Sequence, residues 1–75
     1  MNVRVEAYSG YKADERPLRF LLGDHWRLVV EVTDRWYGPD ARYFRVKAED
    51  GNLYILRLDE ATGEWSLAGY RSGQE

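Results

Sequence analysis

The chain has 75 residues, a formal net charge of −2 and no cysteine. A core this small lies near the lower limit of what burial alone can hold together, and there is neither a disulfide nor a zinc-ligand spacing to staple it. The charge balance argues against a strongly basic nucleic-acid binder, and apolar runs of no more than four residues exclude a membrane-spanning helix. Absence of cysteine fits a reducing compartment, and the N-terminal MNVRVEAY lacks the apolar segment of a signal peptide, so the expected location is cytoplasmic.

Taken in order, Val3, Val5 and Ala7 alternate with Arg4 and Glu6 and predict a short first strand. Residues 9–16 read as a polar loop. Pro17 suits a strand start or an edge, because it donates no ladder hydrogen bond. Leu18, Phe20 and Leu22 then share one side of a second strand, which ends in a turn at Gly23-Asp24. Trp26, Leu28, Val30 and Val32 are expected to continue that apolar face on a third strand, with Arg27, Glu31 and Thr33 outside. The third strand can run on to Trp36, ahead of a turn at Gly38-Pro39-Asp40 with proline at its first central position.

Residues 42–70 carry the clearest pattern. Asp50-Gly51 between two alternating runs is a strong hairpin signal. A three-residue loop, Glu49-Asp50-Gly51 with Gly51 left-handed, pairs Val46 with Tyr54 and Phe44 with Leu56. A two-residue turn would instead set Val46 opposite Ile55 and Phe44 opposite Arg57; since a one-residue slip sends every side chain to the other face, the register that keeps apolar partners together is the expected one. A four-residue loop closed by Gly63 pairs Leu58 with Trp65 and Leu56 with Leu67. Both turns agree on one inner face, whose last row is Val46–Tyr54–Gly69. The outer rows become Tyr43–Arg57–Ser66, Arg45–Ile55–Ala68 and Lys47–Leu53–Tyr70, a mixture of base, tyrosine and aliphatic without an acid.

No stretch competes as a helix. The expectation is an all-β domain over residues 1–71, an antiparallel meander of five to six short strands curled into a small barrel or half-open roll. Residues 72–75 are expected to fray.

Catalytic chemistry has little support. His25 is the single histidine and reads as an exposed turn residue rather than a base or metal ligand, because either role needs several converging groups. The acidic pairs Asp14/Glu15, Glu49/Asp50 and Asp59/Glu60 lack calcium-loop spacing, and aspartate at turns has a local reason in bonds to its own backbone. No serine lies in a nucleophile motif and no glycine-rich phosphate loop occurs. Neither enzyme activity, a metal nor a cofactor is therefore expected. The candidate binding face is Tyr43, Arg45, Lys47, Leu53, Ile55, Arg57 and Tyr70, joined by Trp36 at a strand end. Tyrosine and arginine favour protein contacts. Aromatics interleaved with bases also resemble platforms for single-stranded nucleic acid. An ordinary outer surface of cross-strand pairs, or one covered by residues 1–16, accounts for the same residues without function.

The run RPLRF…GDHWRLVVEVTDRW…RYFRVKAEDGNLYILRLDEATGEWSL resembles a family of short bacterial all-β domains of unknown function. The shared pattern is R-P-x-x-F, a glycine turn, an aromatic followed by alternating valines, D-R-W, a Y-Y/F-R-V strand, G-x-x-Y and T-G-x-W-x-L, over residues 16–70. Some members are associated with error-prone DNA polymerase systems, so the resemblance implies a non-enzymatic module near DNA metabolism. This chain carries Ile55-Leu56-Arg57 after Tyr54, where relatives often have an acid, and no active-site residue is carried over.

Overall fold

The computed structural model describes residues 1–9 and 15–73. Most of the loop expected at 9–16, and the last two residues of the tail, lie outside the described residues. Six strands follow in chain order: β1 (Arg4–Ser9), β2 (Glu15–Leu22), β3 (His25–Tyr37), β4 (Ala41–Ala48), β5 (Leu53–Asp59) and β6 (Trp65–Arg71). Each pairs antiparallel with its neighbour in a single meander, curled into a half-barrel. No helix occurs among the described residues. The curl is joined across its opening where Val3 N donates to Trp65 O (3.1 Å) and Leu67 N donates to Met1 O (2.8 Å).

The β4–β5 hairpin has the register that apolar pairing demands, with Val46 opposite Tyr54 and Phe44 opposite Leu56. Ala48 N donates to Asn52 O and Gly51 N to Ala48 O, with Gly51 at φ +84°. A side chain would strain that backbone conformation, which is why glycine closes the loop. The β5–β6 turn likewise sets Leu58 against Trp65 and Leu56 against Leu67. The resulting core contains Phe20, Phe44, Val46, Ala48, Tyr54, Leu56, Leu58 and Trp65. Phe20 meets Tyr54 edge-on at 4.9 Å, and Phe44 meets Trp65 at 5.5 Å.

Elsewhere the simple alternation fails at a tight turn and at four bulges. Gly23-Asp24 forms a two-residue turn pairing Leu22 with His25, the compact geometry that strand twist favours. An odd-length loop was needed to keep Trp26 inside. The short turn instead sets Trp26 opposite Leu21 and Arg27 opposite Phe20. Trp26 therefore lies on the outer side, under the Arg19 guanidinium at 4.4 Å.

Bulges then insert Leu18 in β2, Val30 and Thr33 in β3, and Ala68 in β6, each extra residue reversing parity beyond it. Leu18 and Val30 are consequently exposed, as is Leu28 through the parity the turn sets, while Pro17, Val29 and Val32 take the inward positions. At Thr33 the side chain supplies a local reason for the bulge: its hydroxyl donates to Arg45 O (3.1 Å) and accepts from Arg45 Nε (3.2 Å). In the tail, Gly73 N donates to Asn52 Oδ1 (3.0 Å), and a Cβ there would collide with the Gly51 carbonyl.

One polar cluster ties the hairpin to β3. The buried Tyr54 donates its hydroxyl to Asp50 Oδ2 at 2.6 Å, and Arg27 Nε reaches the same oxygen at 3.1 Å. Partial desolvation opposes ionisation of Asp50, but hydrogen bonds from Tyr54, the Asn52 amide and Arg27 outweigh it and hold the carboxyl below its ordinary value. A folded-state value below the unfolded one stabilises the protein above the unfolded value of 3.8, and this contribution is lost as pH falls through the folded value. Urea unfolding at pH 7 and at pH 3 should show Asp50→Asn flattening the acid loss of stability relative to the wild type. An identical pH dependence in the two proteins would remove Asp50 from that role. Trp65→Ala, which empties a buried aromatic site, is expected to cost about 3–5 kcal/mol. That is comparable with the whole stability of a domain this size, and thermal melts read it directly.

Candidate functional site

The candidate face is built by four strands. With the β3 bulges in place, its rows run from β3 to β6 as Trp36–Tyr43–Arg57–Ser66, Asp34–Arg45–Ile55–Gly69 and Glu31–Lys47–Leu53–Arg71. Seven of the eight residues read from sequence come together there. Tyr70 does not. The Ala68 bulge advances β6 by one position, so Tyr70 pairs with Tyr54, rings 5.3 Å apart, and Arg71 takes the place expected for it. Gly69 correspondingly stands beside Ile55, where a Cβ would come within 3.1 Å of Ile55 Cδ1. It gives the branched side chain its room, rather than the Tyr54 ring.

Trp36 is the clearest gain. Paired with Tyr43, it stacks on that ring with centroids 5.4 Å apart and planes 2° from parallel, and it remains 39% exposed. Offset parallel rings at this spacing contribute about 0.5–1.5 kcal/mol beyond area burial. The hydroxyl of Tyr43 neighbours Arg57 and raises the guanidinium above its ordinary value, with Asp59 at 3.6 Å adding charge attraction. At the strand end, Tyr37 is exposed with the Arg42 guanidinium 5.9 Å above its ring.

The Thr33 bulge brings Asp34 onto this face, where Glu31, already outward by sequence parity, and Asp59 also stand. Asp34 approaches Arg45 at 4.0 Å, Glu31 is opposite Lys47, and Asp59 flanks Arg57. Three acids thus stand among four bases, Arg45, Lys47, Arg57 and Arg71, so the face is mixed in charge rather than purely basic. The missed signal is Thr33, whose side chain competes for the backbone and β4 and so reverses the parity of Asp34 and Trp36.

Shallow depressions occur at the rim, such as the 310 Å³ hollow beside Arg42, Leu58, Asp59 and Glu60. That volume is at the lower end of small-ligand sites. Its acids are already engaged: Asp59 Oδ1 accepts from the Ala61 and Thr62 amides, and Glu60 accepts from Arg42 at 2.6 Å. His25 is exposed and meets Asp24 at 2.9 Å. Among the described residues no three histidine, aspartate or glutamate side chains gather to hold a metal. Comparison with family models, curated proteins and solved structures gives no match to this chain.

The Trp36–Tyr43 stack rests against Gly38, where a Cβ would sit 3.1 Å from Tyr43 Cε1. Gly38→Ala should therefore push the Tyr43 ring aside and shift the Trp36 indole signal in a proton–nitrogen correlation spectrum. The Trp26 and Trp65 signals should stay in place. A static Trp36 signal would show that Gly38 does not set the stack.

Proposed function

We infer that this protein is a non-enzymatic interaction module that presents the face of β3–β6 to a protein partner. The observation that carries this reading is the partly exposed Trp36–Tyr43 stack, standing beside Leu53 and Ile55 within mixed charges. Aromatic side chains and arginine are favoured at protein interfaces, where a few rigid anchors dominate affinity. Mixed charges select a complementary partner surface and disfavour mismatched ones. The resemblance to bacterial domains associated with error-prone DNA polymerases makes such a polymerase the first partner to test.

Single-stranded nucleic acid is the alternative. It is supported by stacked rings in the same row as Arg57, a chemistry that serves unpaired bases. The acids Glu31, Asp34 and Asp59 weigh against it, because they offset the attraction that phosphate binding requires.

Two titrations followed by amide shifts separate the readings. A purified error-prone polymerase should perturb Trp36, Tyr43, Leu53 and Ile55, and Trp36→Ala should weaken binding by about tenfold or more. Shifts confined to other surfaces, or none, would sink the proposed partner class. Decathymidylate at low and moderate salt should leave Arg45, Lys47 and Arg57 unmoved. A response that is strong at low salt and collapses as salt rises would transfer the function to nucleic acid.

A further inference from the structure

We propose that the cleft between β2 and β3 is a second binding site, which takes an extended segment of a protein partner as an added strand on the open edge of β3. This site adjoins the β3–β6 face and shares Glu31 with it, but it does not rest on the function proposed for that face. The two strands pair only from Arg19–Leu28 to Leu22–His25, although β2 reaches back to Glu15 and β3 runs on to Tyr37. At the parting point β3 is held on its other side by Glu49, whose amide donates to Leu28 O (2.9 Å) and whose carboxylate accepts from Leu28 N (3.2 Å).

Beyond that point, residues 29–34 have β4 as their sole ladder partner among the described residues. Six residues of strand present about 20 Å of edge. Near the parting point the opening is a groove of about 260 Å³ lined by Arg16, Pro17, Leu18, Val29, Val30 and Glu31. Its surroundings are apolar and solvent-facing: Leu18 is 44%, Leu28 53% and Val30 64% exposed.

Three features select the occupant. An open strand edge is matched by another polypeptide backbone, which supplies alternating donors and acceptors. Pro17 has no amide hydrogen, so β3 rather than β2 offers the more complete set of donors. Exposed aliphatics ask for apolar side chains at alternate positions, and Arg16 and Glu31 at the groove ask for an acid and a base on the incoming strand. A second copy of β3 fits badly. The two-fold register that would match Glu31 with Arg35 fails, because Glu31 pairs with outward Lys47 while Arg35 pairs with buried Phe44. The bulges at Val30 and Thr33 interrupt such self-pairing further.

The test uses the full chain and two synthetic seven-residue peptides. Both alternate valine with threonine; one runs from a terminal aspartate to a terminal lysine and the other carries the two charges reversed. Amide-shift titration to millimolar concentration should move residues 28–33 and Leu18, with the Trp36–Tyr43 row unmoved and one charge order bound more tightly. Val30→Lys, at an exposed position, should weaken binding by about tenfold, with an unchanged thermal melt showing the fold intact. The double variant Arg16→Glu, Glu31→Lys should invert the preference between the two peptides. Absence of shifts, shifts only on the β3–β6 face, equal affinity for both peptides in every variant, or sedimentation as a dimer through this edge would each overturn the proposal.

Discussion

The pairing of Val46 with Tyr54 and of Phe44 with Leu56 is the constraint to which the rest of the sheet is referred. It exists because Gly51 adopts φ +84° and closes a three-residue loop between two alternating runs. From that register follow the inward row of large side chains, the place of Trp65 against Phe44, and the position of the Tyr54 hydroxyl beneath Asp50. Burying side chains of this size contributes about 1.5–3 kcal/mol each. The exposed ion pairs contribute far less, near zero to 1 kcal/mol. Packing around one hairpin, rather than the decorated surface, therefore holds the half-barrel together.

Around this regular centre the bulges determine the surface. Thr33 turns Asp34 outward against Arg45 and brings Trp36 over Tyr43, while Ala68 exchanges Tyr70 for Arg71 on the outer row. The same device exposes Val30 beside an edge that β2 has left. Bulges bend strands and protect edges from indiscriminate pairing. Here they also bring Asp34 and Arg71 onto the outer face, so that an acid stands against Arg45 and the face is mixed in charge. That mixture is what supports the proposed protein partner over phosphate.

The sequence by itself determined the all-β class, both turns of the C-terminal half, and the inward role of Phe44, Val46, Tyr54, Leu56, Leu58 and Trp65. These features are local. A glycine that can take positive φ, a loop of defined length and a period of two are all written into neighbouring residues. Six of the eight candidate face residues were legible for the same reason, since strict alternation across β4 and β5 survives folding, whereas Trp36 reaches the face only through the Thr33 bulge. Tertiary structure decided the rest: the outward turn of Trp26, the exposure of Leu18, Leu28 and Val30, the loss of Tyr70 from the face and the arrival of Asp34. Each depends on where a strand accepts an extra residue or how few residues a turn uses. Bulges form where twist, closure of the curl and bonds such as Thr33 to Arg45 are satisfied together. Those conditions involve residues distant in the chain, so periodicity along one strand does not contain them.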